Sequence, residues 1–314
     1  MAFGVSAGYG NLPNGAFSPV VFSQKVLKTF RKVSVIEAIT NTDYAGEISN
    51  YGDSVRIVLE PDVQVTSYVR GQQVVPVDLI DNDITMVVDK ANKFAFKVDD
   101  IEAKHSHVNW MSLASERAAY KLKDAFDSEC LTYMSGQATT ILGSSSAPLA
   151  VRVSPPSGGF SPLNVLARLN RKFDELNVPT DQRFFVASPY FWEQMQYEDS
   201  KLMQVNQTGD AKSPMRPGMY NGRVIEGEIR GFSCYVSNNL GSTGIGPDSS
   251  AATDWGILIA GHMSSTATVN QIAKTETFRD PDSFADVCRG LHLYGRKTLR
   301  QDALAVVYWN KGGS

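Results

Sequence analysis

The sequence predicts an α+β chain. Three observations lead there: one long amphipathic helix from Asn109 to Met134, two alternating segments flanking an apolar connection between Asp53 and Asp89, and a helix, strand, helix order from Ser161 to Met195. Composition alone leaves the class open, because 314 residues with 42% hydrophobic and 20% charged side chains are ordinary globular material with enough length for two or more cores. Its use lies in exclusion. Lys plus Arg is 30 against 33 for Asp plus Glu, and no basic run exceeds a pair such as Arg31-Lys32, so a sequence-specific nucleic-acid reader is not expected. No Lys or Arg precedes Lys25, and the best apolar run, Gly256 to Ala260, is far too short for a bilayer. A soluble, unexported chain with no membrane partner is expected. Cys130, Cys234 and Cys288 lack CxxC spacing and fit free thiols in a reducing cytoplasm.

In chain order, residues 1 to 16 combine four glycines with Pro13 and Asn14 and read as an arm. Ser18 and Pro19 then open a short amphipathic helix, cap followed by first helical position. From Asp53 to Glu60, Val55, Ile57 and Leu59 alternate with Arg56, Val58 and Glu60, and Asp83 to Asp89 repeats the pattern, so the two can pair antiparallel. The connection from Pro61 to Asn82 is unusually long, and a solvated loop does not need Val65, Tyr68, Val69, Val74, Val75 and Leu79. Such a ribbon presents an apolar surface of the kind that marks a partner site, with Arg70 beside Gly71 at its tip.

In the long helix, Trp110, Met111, Ala114, Ala118, Leu122, Ala125, Phe126, Cys130, Tyr133 and Met134 recur in steps of three and four. Ala118, Leu122 and Phe126 are its expected core positions. Glu116, Arg117, Lys121, Lys123, Asp124 and Asp127 line the other side, with Lys123 and Asp127 spaced for a weak surface pair. Asn109 can cap the start and Gly136 the end. At ~1.5 Å per residue the rod is roughly 39 Å long, which suits a strut across a domain.

Ser161 and Pro162 open a helix carrying Leu163, Leu166, Leu169, Phe173 and Leu176, followed by a strand at Arg183 to Ala187 and a helix from Ser188-Pro189 to Met195. Further strands are expected at 222–229, 231–237, 255–260, 266–276, 290–297 and 303–309, with Gly-, Pro- and Ser-rich loops at 199–222 and 238–253.

No catalytic constellation emerges. His105-Ser106-His107 has no third metal ligand nearby in sequence. In Gly290-Leu-His-Leu-Tyr-Gly295-Arg-Lys-Thr298, Arg296 stands where a phosphate loop needs lysine, and the residues between the glycines look like a strand. No cofactor and no metal are expected, and Asp99, Asp100 and Glu102 read as solvated charges at a helix start.

Four stretches, in this order of parts, carry a family resemblance: Phe22 to Ala38 (FSQKVLKTFRKVSVIEA), Tyr44 to Val58 (YAGEISNYGDSVRIV), Lys93 to Glu102 (KFAFKVDDIE), and Gly261 to Arg300 with its FRDPDSFADVCRGLHLYGRKTLR core. Together they resemble the major capsid protein of tailed double-stranded-DNA bacteriophages, the Hong Kong 97-type capsid fold. The resemblance implies an N-arm over residues 1–42, an extended E-loop hairpin over 43–89, a peripheral domain over 90–160 and 275–314 carrying the spine helix 109–134, and an axial domain over 161–274. It implies intersubunit contacts through Val65, Tyr68, Val69, Arg70, Val74 and Val75 of the hairpin and through Phe17, Val21 and Phe22 of the arm. It also implies hexamers and pentamers of this chain forming an icosahedral head in the virion, assembled in the bacterial host cytoplasm. Implied partners are a portal protein at one vertex, a cement protein, and packaged double-stranded DNA in weak, non-specific contact. The arm begins almost at Met1, which leaves no room for a cleaved scaffolding segment and implies a separate scaffolding protein, or none. No Lys lies between Val33 and Asp89, so the E-loop isopeptide bond of some members is not expected.

Two other readings remain open on the sequence. One is an encapsulin-like compartment shell, which differs in holding protein cargo rather than genomic DNA. The other is a soluble α/β enzyme using His262 or His292, which requires a pocket of convergent polar groups.

Overall fold

The computed structural model describes residues 34–44, 54–58, 60–61, 63, 65–73, 76, 83–105, 110–152, 159–196, 223–244, 247 and 253–312. The expected arm and the helix from Ser18 lie outside these. In chain order the elements are α1 (Ile36–Ile39), β1 (Ser54–Val58), β2 (Asp83–Val87), β3 (Lys90–Asp99), α2 (Asp100–His105), α3 (Trp110–Gln137), β4 (Thr140–Leu142) and β5 (Leu149–Ala150). The second half adds α4 (Pro162–Glu175), β6 (Arg183–Ala187), α5 (Pro189–Gln196), β7 (Arg223–Ile229), β8 (Phe232–Val236), β9 (Gly256–His262), β10 (Thr266–Arg279), β11 (Ala285–Thr298) and β12 (Leu304–Asn310).

The strands form three sheets. The largest has seven strands in the order β4-β12-β9-β6-β8-β7, with β5 also pairing β12. Strands β6, β9 and β12 read as near-continuous apolar runs because both of their faces are covered. Phe185, Ala187, Leu258, Ala260, Ala305, Val307 and Trp309 pack on one face against Leu166, Leu169 and Phe173 of α4 and Phe191 and Trp192 of α5. The alternate residues Phe184, Val186, Ile257, Ile259, Leu304 and Val306 pack on the other face against α1 and Phe126, Cys130, Leu131 and Met134 of α3. The period-two alternation of three strands thus supplies two cores, and each fully buried large apolar side chain contributes roughly 1.5–3 kcal/mol.

A three-stranded antiparallel sheet, β10-β11-β3, lies beside it, and β1 and β2 pair as the base of a hairpin. Helix α3 has 28 residues and links the two larger sheets, its second half lying on the seven-stranded sheet and its body against β3 and β11. Its length, about 42 Å at ~1.5 Å per residue, makes this double role possible.

Several expectations need correction. Gly136 does not end α3, which continues through it to Gln137. Asp127 is fully buried rather than paired with Lys123 at the surface, and Lys123 instead reaches Glu37 at 3.0 Å. Leu176 terminates α4 and is exposed. Strand pairing puts 140–142, 149–150 and 304–310 in the large sheet and 266–279 in the three-stranded one. The pairings that decide this join residues far apart in the chain.

Arg183 closes the α4–β6 connection. Its side chain is 1% exposed, and it donates to the carbonyls of Pro179 and Val178, to Asp174 Oδ1 at 2.8 Å, and to Asn170 Oδ1. A buried guanidinium is tolerated because so many of its donors are met.

Candidate assembly surfaces

The hairpin is fixed at its base and bare at its end. β1 and β2 pair from Ser54↔Val87 to Val58↔Asp83, and Ile57 and Met86 pack on Ala267 and Val269 of β10. The Arg56–Asp83 pair of 3.1 Å is largely exposed and adds little. Beyond the base, every described residue of the connection is exposed, including Val65 at 95%, Tyr68 at 66% and Val69 at 66%. The chain reverses where Gln72 N–H donates to Val69 O at 3.0 Å, with Gly71 at φ +93°, a left-handed position that favours glycine. Arg70 therefore stands at the tip, as the sequence suggests. Val74 and Val75, and the arm residues Phe17, Val21 and Phe22, lie outside the described residues.

Asp127 knots three parts of the chain together. Its Oδ1 accepts from Val35 N–H at 2.9 Å, Ile36 N–H at 3.2 Å and Ser34 Oγ at 3.0 Å, and its Oδ2 accepts from Asn239 Nδ2 at 3.0 Å. The start of α1 has no cap from its own Val35, so a carboxylate from α3 satisfies those amides instead. Residues just after α1 are fixed as well. Thr40 Oγ1 meets Thr268 Oγ1 at 2.8 Å, and Asn41 exchanges backbone bonds with Thr266 and Thr268.

Of the expected helix-core residues, Phe126 is buried and meets Tyr294 edge-on at 5.0 Å, while Ala118 and Leu122 are half-buried. Leu122 looks into a groove of about 230 Å³ lined also by Glu37, Phe94, Phe126, Lys274 and His292. Glu129 anchors the same stretch, taking Arg296 Nη1 at 2.5 Å and the Tyr294 hydroxyl.

The β10–β11 turn is a second rigid projection. Asp280 accepts from Ser283 Oγ at 2.6 Å, Lys97 Nζ at 3.0 Å and Asp282 N–H at 3.2 Å, and these bonds hold its carboxyl down to about 2. Arg279 pairs with Asp100 and Asp286. This network presents Phe284, 81% exposed, beside the exposed Ile101. Neither Asp127, Arg183 nor Phe284 stands out in the sequence.

The chemical candidates have structural explanations. The Gly290–Thr298 run is strand β11, and a Cβ on Gly295 would lie 2.7 Å from Val87 O, so close backbone approach accounts for that glycine. His262 Nδ1 lies 2.8 Å from Ser264 Oγ and 3.2 Å from Ser264 N, which makes it a cap on a short 3₁₀ turn. Burial pushes the His262 and His292 imidazoles below the ordinary range. Burial also pushes the Cys130 thiol up to about 12, far from a thiolate nucleophile. Among the described residues, no three His, Cys, Asp or Glu side chains gather as a metal site, and no helix is long and apolar enough to cross a membrane.

No family model and no curated protein sequence matches this chain. Solved structures do. One from Mycobacterium phage Che8 shares 25% identity, covers 96% of this chain and 99% of its own, and superposes with a TM-score of 0.76. The capsid structure of the cyanophage P-SCSP1u follows at 16% identity, 94% coverage of each chain and a TM-score of 0.68. The mature capsid of bacteriophage PhiM1 gives 15% identity, 93% and 91% coverage, and a TM-score of 0.65. The chain has the fold of phage capsid subunits, the Hong Kong 97-type fold.

Proposed function

We propose that this chain, which has the Hong Kong 97-type capsid fold, is the major capsid protein of a tailed double-stranded-DNA bacteriophage. Hexamers and pentamers of it build the icosahedral head, and it works through geometry and contact area rather than catalysis. The single observation that carries the reading, once the fold is known, is the hairpin: a firmly seated base with an apolar end whose described residues are exposed. Heterologous contacts of that kind close into rings, and obligate interfaces commonly bury more than ~2,000 Å².

In this reading the three-stranded sheet with α3 is the peripheral domain, and the seven-stranded sheet with α4 and α5 is the axial domain around the ring centres. Val65, Tyr68, Val69, Arg70, Val74 and Val75 contact a neighbour, and Phe17, Val21 and Phe22 extend that contact from the arm. The absence of Lys between Val33 and Asp89 makes the hairpin joint noncovalent. A portal protein, a scaffolding protein and a cement protein complete the set of partners, and assembly precedes packaging in the host cytoplasm.

Contact with DNA is weak because formal net charge is -3 and no basic run exceeds a pair. A wall that gripped many phosphates would lose affinity steeply with salt. The test is to treat purified particles with nuclease, then open them. Protected double-stranded DNA is expected, and particles that hold protein cargo and no protected DNA would overturn the assignment.

A further inference from the structure

The outer half of β10 is an edge that no described strand pairs: Lys274, Thr275, Thr277, Phe278 and Arg279 are all exposed, and Lys274 and Glu276 pair with each other on one face at 2.6 Å. Among the described residues, only Asn41 bonds the outer side of this strand, through Thr266 O and Thr268 N–H. Even-numbered residues therefore point their backbone groups outward there. A bulge between Asn270 and Ile272 adds one residue and inverts the alternation. From that point residues 273, 275, 277 and 279 carry the outward N–H and C=O groups, which no described residue bonds.

Charges on an edge strand normally discourage pairing. Here they are arranged to match a copy of themselves. An antiparallel register centred on Thr275 makes Thr275 face Thr275, and makes 273 face 277 twice, all at positions whose backbone groups point outward. The same register sets Lys274 opposite Glu276 on both sides of the centre. Shifting the centre to Thr277 sets Glu276 against Phe278, and shifting it to Ala273 sets Lys274 against residue 272. Only the Thr275 register satisfies backbone and charge together.

We propose that β10 pairs with β10 of a second copy of this chain, antiparallel about a two-fold axis at Thr275, so that two three-stranded sheets become one of six. Such a contact is isologous, unlike the hairpin contact, and does not depend on the shell reading. In a shell it is the joint between neighbouring rings.

The test is Thr275→Cys. Directly opposed residues in a hydrogen-bonded antiparallel pair have Cα atoms ~5.5 Å apart, inside the ~4.4–6.8 Å that a disulfide spans. The native cysteines Cys130, Cys234 and Cys288 are buried and stay silent. After mild oxidation, a non-reducing gel should show most of the protein at twice the 34.3 kDa chain mass, and reductant should reverse it. Ala95→Cys on the opposite edge strand β3 should stay monomeric. Adding Lys274→Glu to Thr275→Cys should lower the dimer yield several-fold, and adding Glu276→Lys as well should restore it. No dimer band in assembled or unassembled protein overturns the pairing, as does an equal band from Ala95→Cys. Shells without the band sink the pairing alone, whereas the band without shells sinks the shell reading alone.

Discussion

A chain in which Val63 to Val77 is replaced by a short Asn-Gly turn folds normally and fails to assemble. The hairpin base does not need its end: β1 and β2 keep their register, and Ile57 and Met86 keep their seat on Ala267 and Val269. Asn-Gly supplies the positive φ angles that a tight hairpin turn requires. The described residues that are lost are exposed already, so stability changes by less than about 1 kcal/mol while the apolar contact to a neighbour disappears. Circular dichroism and sedimentation read the two properties separately. Normal particles from the shortened chain would remove the hairpin from the joint.

Asp127→Ala has the largest expected effect on folding, a loss of about 3–5 kcal/mol. The substitution leaves the buried amides of Val35 and Ile36 without their acceptor, while Asn239 keeps its bond to Asp124, and α1 loses the cap that Asp127 supplies. Since a domain holds only about 5–15 kcal/mol in total, the variant should be largely insoluble or melt far below the parent. Asp127→Asn keeps one carbonyl oxygen for the α1 amides and should lose about half as much. Lys123→Gln, one turn earlier and exposed, should stay within about 0.5 kcal/mol. Denaturant titration of the three variants measures this, and near-equal stabilities for Asp127→Ala and Lys123→Gln would contradict the knot.

Much of this fold was legible because its elements are regular. Ser161-Pro162 marks the start of α4 in the sequence as it does in the structure, where Ser161 Oγ accepts from Asn164 N–H. RFFVA is recognisable as β6, and Gly71 marks the hairpin tip. Strand β3 is weakly marked in the sequence: its Phe94, Phe96 and Val98 alternate cleanly, but no turn residue separates Asp99 from the helix that follows. Asp127 is hidden for a different reason. A carboxylate four residues after a lysine is a surface pair in any local reading, and the donors that claim it at α1 lie 91 to 93 residues away. Arg183 begins an apolar strand and looks like its solvent end, yet its acceptors come from the preceding loop and helix. Local pattern sets the elements. Which strand joins which sheet, and which charge is buried, depends on contacts between residues far apart.

The central claim is that copies of this chain close into a shell. Electron microscopy of the purified protein, at concentrations where sedimentation shows large particles, tests it most directly. The account predicts closed shells in which rings of five and six chains coexist, with each hairpin tip, from Val65 to Arg70, lying on the neighbouring chain. Protein that sediments only as monomers or dimers, or particles whose hairpin tips lie on their own chain, would contradict it.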